Sequence, residues 1–117
     1  MLENIALIKE ANHSVSVKDA SKEALLMLER LSLENIAQKR VTYCSKIDIF
    51  YVMFIRALMS DAKNIVIVTP FSLVKNLENI TQIIENILLL NDDKNIIILD
   101  NISNETHYKG YPCHIIK

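Results

Sequence analysis

Two short runs, each of four consecutive apolar residues after an asparagine, constrain the fold of this chain more than any other feature. They are Asn64–Val68, with the sequence NIVIV, and Asn95–Leu99, with the sequence NIIIL. Continuous β-branched runs of strand length are typical of strands buried on both faces of a parallel sheet. Parallel strands need a long crossover between them, usually a helix, and the segment that separates the runs is long enough for one. We therefore expect a parallel sheet built around these two strands.

Apolar residues at spacings of three and four predict the helices. Between the two strands they recur from Leu77 to Ile87, which predicts the crossover helix. From Asp19 onward a second set recurs, which predicts a helix that ends between Leu33 and Ala37. Its members are Ala20, Ala24, Met27, Leu28 and Leu31.

The stretch Ile47–Met59 is apolar almost all round and is too long for a strand. A helix that is apolar on most faces is either buried on two sides or part of an interface. We expect burial against the sheet and its neighbours, with a self-association face as the alternative.

Two serines stand where N-caps are expected. Ser16 precedes Asp19 by three residues, and Ser45 precedes Asp48 by three. A serine at this spacing accepts a hydrogen bond from a free backbone N–H of the first turn, and the aspartate favours the positive end of the helix. We expect helices to begin directly after both serines.

Two shorter segments also have strand character. Asn4–Ile8 is a short apolar run, and Arg40–Cys44 contains β-branched and aromatic residues. The predicted order is then β-α-β-α-β-α-β followed by a tail. The fold class is α/β, a small, mainly parallel sheet of about four strands with helices on both faces. With 117 residues the chain fits one domain, residues 1–117.

Composition excludes several functions. The single glycine is too few for a G-x-G-x-x-G dinucleotide loop, a Walker A phosphate loop or a G-x-S-x-G nucleophile elbow. A net charge of −1 provides no general attraction for nucleic acid or anionic membrane. Two cysteines, no long apolar run and no signal-peptide pattern favour a cytoplasmic protein without a disulfide framework. We expect no cofactor and no metal.

In parallel α/β sheets ligands bind at the carboxyl ends of the strands. In this sequence those ends are Lys9–Ser16, Ser45–Lys46, Thr69–Lys75 and Asp100–Thr106. Any chemistry is expected there.

The stretch from Ile47 to Asp100 resembles the catalytic domain of the serine recombinases, the resolvase/invertase family. Ala57 and Leu58 precede the strand NIVIV, the loop FSLVKN follows it, and a helix then leads to NIIILD. The segment NIALIKEA occupies the place of the family's first strand. The resemblance covers nearly the whole chain in element order and spacing, and it implies a resolvase-like fold related to site-specific DNA recombination.

The resemblance also indicates which positions would form the active site. The family's nucleophilic serine would fall near Ala11 or Asn12, and the arginine before it falls at Lys9. The nearby Ser14 and Ser16 are displaced. The two arginines of the second motif align with Ser72 and Lys75. The remnant catalytic positions are therefore Ser14, Lys9, Ser72 and Lys75.

These substitutions predict loss of strand cleavage. An arginine guanidinium donates two parallel hydrogen bonds to a phosphate, whereas an ammonium or a hydroxyl group lacks this planar, two-point geometry. The residues that follow Asp100 are also too few for the family's long dimer helix and DNA-binding domain. We expect an inactive, domain-only relative that acts through protein contacts. It would be a regulator, a partner of a full-length recombinase, or a remnant of a mobile element. Its partners would be a second copy or a related recombinase, with weak DNA binding and no membrane contact.

Two other functions stay open at this stage. One is an active strand-cleaving recombinase fragment that uses Ser14 or Ser16 as nucleophile. The other is an unrelated doubly wound domain that binds a small or regulatory ligand at Thr69–Lys75 and Asp100–Thr106.

The tail and one cysteine carry weaker signals. His107, Cys113 and His114 could bind a metal ion, but their spacing fits no standard site. His107-Tyr108-Lys109 is similar to the H-x-K of phospholipase D-like enzymes, but His114 stands where the expected aspartate would be. We interpret these as polar tail residues, and Cys44 as a small buried side chain rather than a reactive thiolate.

Overall fold

The computed structural model describes residues 1–3, 5–7, 16–68, 79–91, 93–108, 110–112 and 115. In chain order these contain helix α1, two short 3₁₀ turns, helix α2, strand β1, helix α3, strand β2 and a 3₁₀ segment. Their bounds are Val17–Arg30 (α1), Glu34–Ile36 and Val41–Tyr43 (the turns), Lys46–Leu58 (α2), Asn64–Val68 (β1), Asn79–Leu90 (α3), Asn95–Leu99 (β2) and Ile102–Tyr108.

Helix α1 begins where the sequence predicts and ends earlier. The Asp19 backbone N–H donates to Ser16 Oγ at 3.2 Å, which confirms Ser16 as the N-cap. The helix ends at Arg30 because Ser32 takes a left-handed conformation with φ of 58°. The Leu33 N–H then donates back to the Leu28 carbonyl at 2.9 Å, the bond that closes a Schellman motif. The predicted end between Leu33 and Ala37 is therefore wrong.

Helix α2 carries the second predicted cap in full. The Asp48 N–H donates to Ser45 Oγ, and the Ser45 N–H donates to Asp48 Oδ2, both at 3.1 Å. This reciprocal pair is a capping box, which satisfies two backbone donors at once. The predicted helix over Ile47–Met59 is confirmed to within one residue at each end.

The two strands pair in parallel, as the apolar runs predict. The register runs from Asn64 opposite Asn95 to Val68 opposite Leu99 without a bulge. Helix α3 lies between the strands in the chain and supplies the crossover. The α/β class is therefore shown for this part of the molecule.

The predicted four-stranded sheet is not what the described residues show, since they form two strands. The strand predicted at Asn4–Ile8 is wrong, because residues 2–3 and 5–7 are helical and the Ile5 N–H donates to the Met1 carbonyl at 3.1 Å. The strand predicted at Arg40–Cys44 is wrong as well, because Val41–Tyr43 is an exposed 3₁₀ turn. In segments this short, the pattern of apolar residues does not distinguish a strand from a helix.

One hydrophobic core lies against one face of the sheet. Its strand contribution is Ile65 and Ile67 from β1, with Ile96 and Ile98 of β2 packed against them. The helices contribute most of the buried core side chains, which include Leu28 of α1, Phe50, Phe54 and Ile55 of α2, and Ile83, Ile87 and Leu90 of α3. Phe50 and Phe54 stack with ring centroids 6.5 Å apart.

The other face of the sheet is exposed, and so the predicted helices on both faces are wrong for the described residues. Burial alternates along β1, with Ile65 and Ile67 buried and Val66 and Val68 exposed. Successive side chains of a strand point to opposite faces, and so a one-sided core produces this alternation.

Lys94 ties together the two loops that enter the strands. Its Nζ donates to the Ser60 carbonyl at 2.7 Å and to the Ala62 carbonyl. Asn91 fixes the lysine itself, since its side chain bonds the Lys94 N–H at 3.0 Å and the Lys94 carbonyl at 2.7 Å. The start of β2 is thereby anchored to the loop between α2 and β1, next to the Asn95 N–H bond to the Lys63 carbonyl.

Replacing Lys94 with methionine should lower the free energy of unfolding by about 1–2 kcal/mol. The change keeps the aliphatic stem and removes the charge-assisted bonds to the two carbonyls. Denaturant unfolding followed by circular dichroism measures the difference. Lys22→Met, at an exposed lysine of α1, is the matched control and should change stability by less than about 0.5 kcal/mol. Equal effects of the two variants would contradict this role for Lys94.

Candidate functional site

The remnant catalytic positions predicted by the resemblance, Ser14, Lys9, Ser72 and Lys75, lie outside the described residues. The loop Thr69–Lys75 lies outside them too. Ser16, the other candidate nucleophile, is described, and its hydroxyl accepts the Asp19 N–H as the cap of α1. Its bond is one that a helix start requires, whatever the function of the chain.

Asp100, at the carboxyl end of β2, is held by the segment that follows it. Its Oδ1 accepts the Asn101 N–H at 2.7 Å and the Asn104 side-chain amide at 2.9 Å. Its Oδ2 accepts the Tyr108 hydroxyl at 2.7 Å. The carboxylate is half-buried and anchors the 3₁₀ segment Ile102–Tyr108 to the end of the strand. These bonds give Asp100 a structural role.

Among the candidate metal-binding and thiol residues of the sequence, only some lie in the described part of the chain. Cys113 and His114 lie outside the described residues, as does the side chain of His107. Cys44 is half-buried, and its thiol donates to the Arg40 carbonyl at 3.5 Å. In the part of the chain that the structure describes, no three His, Cys, Asp or Glu side chains come close enough to hold a metal ion. No described helix has the length and apolar character needed to cross a bilayer.

A groove of about 560 Å³ lies beside the start of the chain, where Met1, Glu3, Lys39 and Arg40 line part of it. The Met1 amine donates to the Lys39 carbonyl at 2.8 Å, which holds the N-terminus against this wall. The only adjacent basic pair of the sequence, Lys39 and Arg40, therefore lines this groove together with the acidic Glu3.

The most distinctive surface of the described residues is the uncovered side of the sheet, which we call the open face. It consists of Asn64, Val66 and Val68 of β1 and Asn95, Ile97 and Leu99 of β2. The aliphatic members are 53%, 63%, 46% and 48% exposed in the order Val66, Val68, Ile97 and Leu99. Single exposed apolar side chains are common, whereas a contiguous patch marks a contact site.

The open face follows from the register of the strands. Val66 lies opposite Ile97 and Val68 opposite Leu99, and so the four aliphatic side chains form two adjacent cross-strand pairs. Parallel sheets in globular proteins are ordinarily covered on both faces. In the described part of this chain, only one face of the sheet is covered.

One end of the open face is polar. The Asn95 side-chain amide donates to Asn64 Oδ1 at 3.0 Å, which joins the first residues of the two strands. Both asparagines are exposed. The face therefore has a direction, from an amide pair at the strand starts to aliphatic side chains at the strand ends.

Behind the sheet, a polar contact joins the two helices that support it. The Asn86 side-chain amide of α3 donates to the Tyr51 hydroxyl of α2 at 2.8 Å, and Gln82 Nε2 donates to Asn86 Oδ1 at 3.1 Å. Burial raises the pKa of the Tyr51 hydroxyl above its ordinary value of 10.0, while the hydrogen bond from Asn86 lowers it. Tyr51 thus stays neutral in the folded chain to a higher pH than an exposed tyrosine does.

Helix α2 is mostly buried, as the sequence predicts. Six of its side chains are buried in the core: Phe50, Tyr51, Val52, Phe54, Ile55 and Leu58. Met53 is the one large apolar side chain of this helix in the exposed class, being 62% exposed beside a shallow cavity of about 220 Å³, and Ile47 and Ile49 are half-buried. The self-association face considered for this helix stays a prediction.

Sequence reasoning missed the open face because a continuous apolar run has the same pattern whether one or both faces are covered. The asparagines at the equivalent positions 64 and 95 are the one available signal. They begin both strands in register and mark a polar end that a fully buried sheet would not favour.

Comparison with known proteins returns no match. No protein-family model matches the chain, and no curated protein and no solved structure is significantly similar to it. The candidate site therefore depends on its own geometry.

Replacing Tyr51 with phenylalanine should lower the free energy of unfolding by about 1 kcal/mol at neutral pH, because the Asn86 amide loses its buried acceptor. The variant should also change the response to alkali. Tyr51 ionises near pH 10 in the unfolded chain and at a higher pH in the folded chain, and so its contribution is complete below pH 10 and is lost as the pH rises above it.

Urea unfolding at pH 8 to 11 measures both effects. The wild-type chain should lose stability above pH 10 more steeply than Tyr51→Phe. Tyr43→Phe removes an exposed tyrosine and should follow the wild-type curve. A Tyr51→Phe curve parallel to that of the wild type would contradict the assignment.

Proposed function

We propose that this chain is a non-catalytic interaction domain whose working surface is the open face of the sheet. The observation that carries the proposal is the row of two exposed aliphatic cross-strand pairs, Val66 with Ile97 and Val68 with Leu99. A partner that covers this face would supply the second layer, which the described residues do not form.

The hydrophobic effect favours such a contact. Full burial of a valine, leucine or isoleucine side chain is worth about 1.5–3 kcal/mol, and roughly half of each of these four side chains is still exposed. Covering them would release about 1 kcal/mol each before the cost of association. The six positions carry no charge, and so no ion has to be desolvated when the contact forms.

We also propose that the chain is related to the serine recombinases. The observation that supports this relation is the element order α2–β1–α3–β2 with parallel strands. The helical conformation of residues 2–3 and 5–7, in place of the family's first strand, counts against that kinship. The interaction role stands on the open face and does not depend on the kinship.

A photo-crosslinking experiment tests the interaction role. A benzophenone amino acid at Val66, in the full chain expressed in its native cell, should form covalent adducts with a defined protein partner, because it lies on the open face. The same probe at Glu29, exposed on α1, is the control and should not. The identified partner is then purified, and its binding should fall at least tenfold with Ile97→Lys. The absence of any protein adduct specific to Val66 would overturn the proposed function.

The non-catalytic half of the proposal predicts that no covalent DNA adduct forms. A serine recombinase that cleaves DNA becomes joined to a strand end, and the adduct survives denaturant. The chain incubated with supercoiled and linear DNA should give no such adduct. An adduct that disappears when Ser14 and Ser16 are both changed to alanine would establish cleavage and refute this half.

A further inference from the structure

We infer that the occupant of the open face is a second copy of this chain, with β1 of each copy lying over β2 of the other. The inference rests on the proposed interaction role and deepens it by naming the partner. It is carried by the composition of the face, by the direction that its asparagines impose, and by the charges at its rim.

The composition of the face suits its own copy. A face that contained a charged side chain would place like charges together when it met itself, and would need a partner of opposite sign. The six positions of the open face are asparagine, valine, isoleucine and leucine only. Two such faces can stack about 10 Å apart with their aliphatic side chains interdigitated, as in a sandwich of two sheets.

The asparagine end selects one of two simple arrangements. If the two-fold axis runs across the strands, the asparagines of one copy lie over Val68 and Leu99 of the other, and amides are buried against aliphatic carbon. If the axis runs along the strands, the Asn64–Asn95 pair meets its own copy. Each amide then keeps hydrogen-bonding partners, and the aliphatic pairs meet aliphatic pairs.

The second arrangement places β1 over the β2 of the partner copy. Val66 then faces Ile97, and Val68 faces Leu99, of the other molecule. At the rim, Lys63 lies just before β1 and Asp93 lies just before β2, and both are exposed. The same symmetry brings Lys63 of each copy toward Asp93 of the other copy, beside the asparagines at the strand starts.

The interface is small. Stable complexes bury about 800 Å² on each partner, and four half-exposed aliphatic side chains with an amide pair cover less than that. We therefore expect a weak dimer that dissociates in the upper micromolar range and forms where the local concentration of the chain is high.

Two single-cysteine proteins test the pairing. In the full chain with Cys44→Ser and Cys113→Ser, one protein contains Val66→Cys and the other contains Ile97→Cys. A mixture of the two, treated with a short bis-maleimide, should give at least fivefold more covalent dimer than either protein alone. A control mixture of Glu29→Cys and Lys22→Cys, both exposed on α1, should give only background.

Other outcomes overturn the inference. Strong dimer in Val66→Cys alone would show that β1 faces β1, which contradicts the arrangement. Background yield in every sample, together with a constant sedimentation coefficient from 10 µM to 1 mM, would refute the second copy as occupant. If the Val66 photo-probe still captures a different protein whose binding Ile97→Lys weakens, the proposed function survives and only the inference falls.

A charge exchange tests the rim independently. Lys63→Glu should weaken dimerisation by about threefold to fivefold, because it faces Asp93 of the other copy. Adding Asp93→Lys to the same chain should restore the affinity. Failure of the second change to restore it would exclude the rim contact and with it the β1-over-β2 arrangement.

Discussion

The parallel pairing of β1 with β2 is the constraint on which the rest of the described structure depends. The pairs run in strict register from Asn64–Asn95 to Val68–Leu99, and so paired residues of the two strands have their side chains on the same face of the sheet. That places Ile65 and Ile67 against the helices and leaves Val66 and Val68 outside. A shift of one residue in either strand would exchange the core face for the open face, and so the core and the proposed contact surface are set by one register.

The parts of this fold that could be predicted are those with a local physical cause. The serines 16 and 45 cap helices because their hydroxyls reach a backbone N–H three residues on, a geometry that needs no tertiary contact. The strands at 64–68 and 95–99 follow from β-branched runs flanked by polar residues. The short runs at Asn4–Ile8 and Arg40–Cys44 were beyond prediction, because what decides a five-residue segment is whether a neighbouring strand is there to pair with it.

The residues that form the candidate site could be predicted as strand residues, but their exposure on one face of the sheet could not. The residues of NIVIV and NIIIL indicate strands, but the number of layers that cover a sheet is a property of the whole chain. The end of α1 illustrates the same limit. A serine at position 32 with φ of 58° terminates the helix where glycine would be usual. It lacks the aspartate that follows the capping serines by three residues, but a serine does not by itself predict a left-handed helix end.

Among the described residues, three polar side chains around the sheet form hydrogen bonds that hold the fold together. Asp100 anchors the segment that follows β2, and Lys94 joins the two loops that enter the strands. Asn86 bridges α2 and α3 through Tyr51. The aliphatic side chains of the open face, by contrast, are about half exposed to water, and the hydrophobic effect favours their burial.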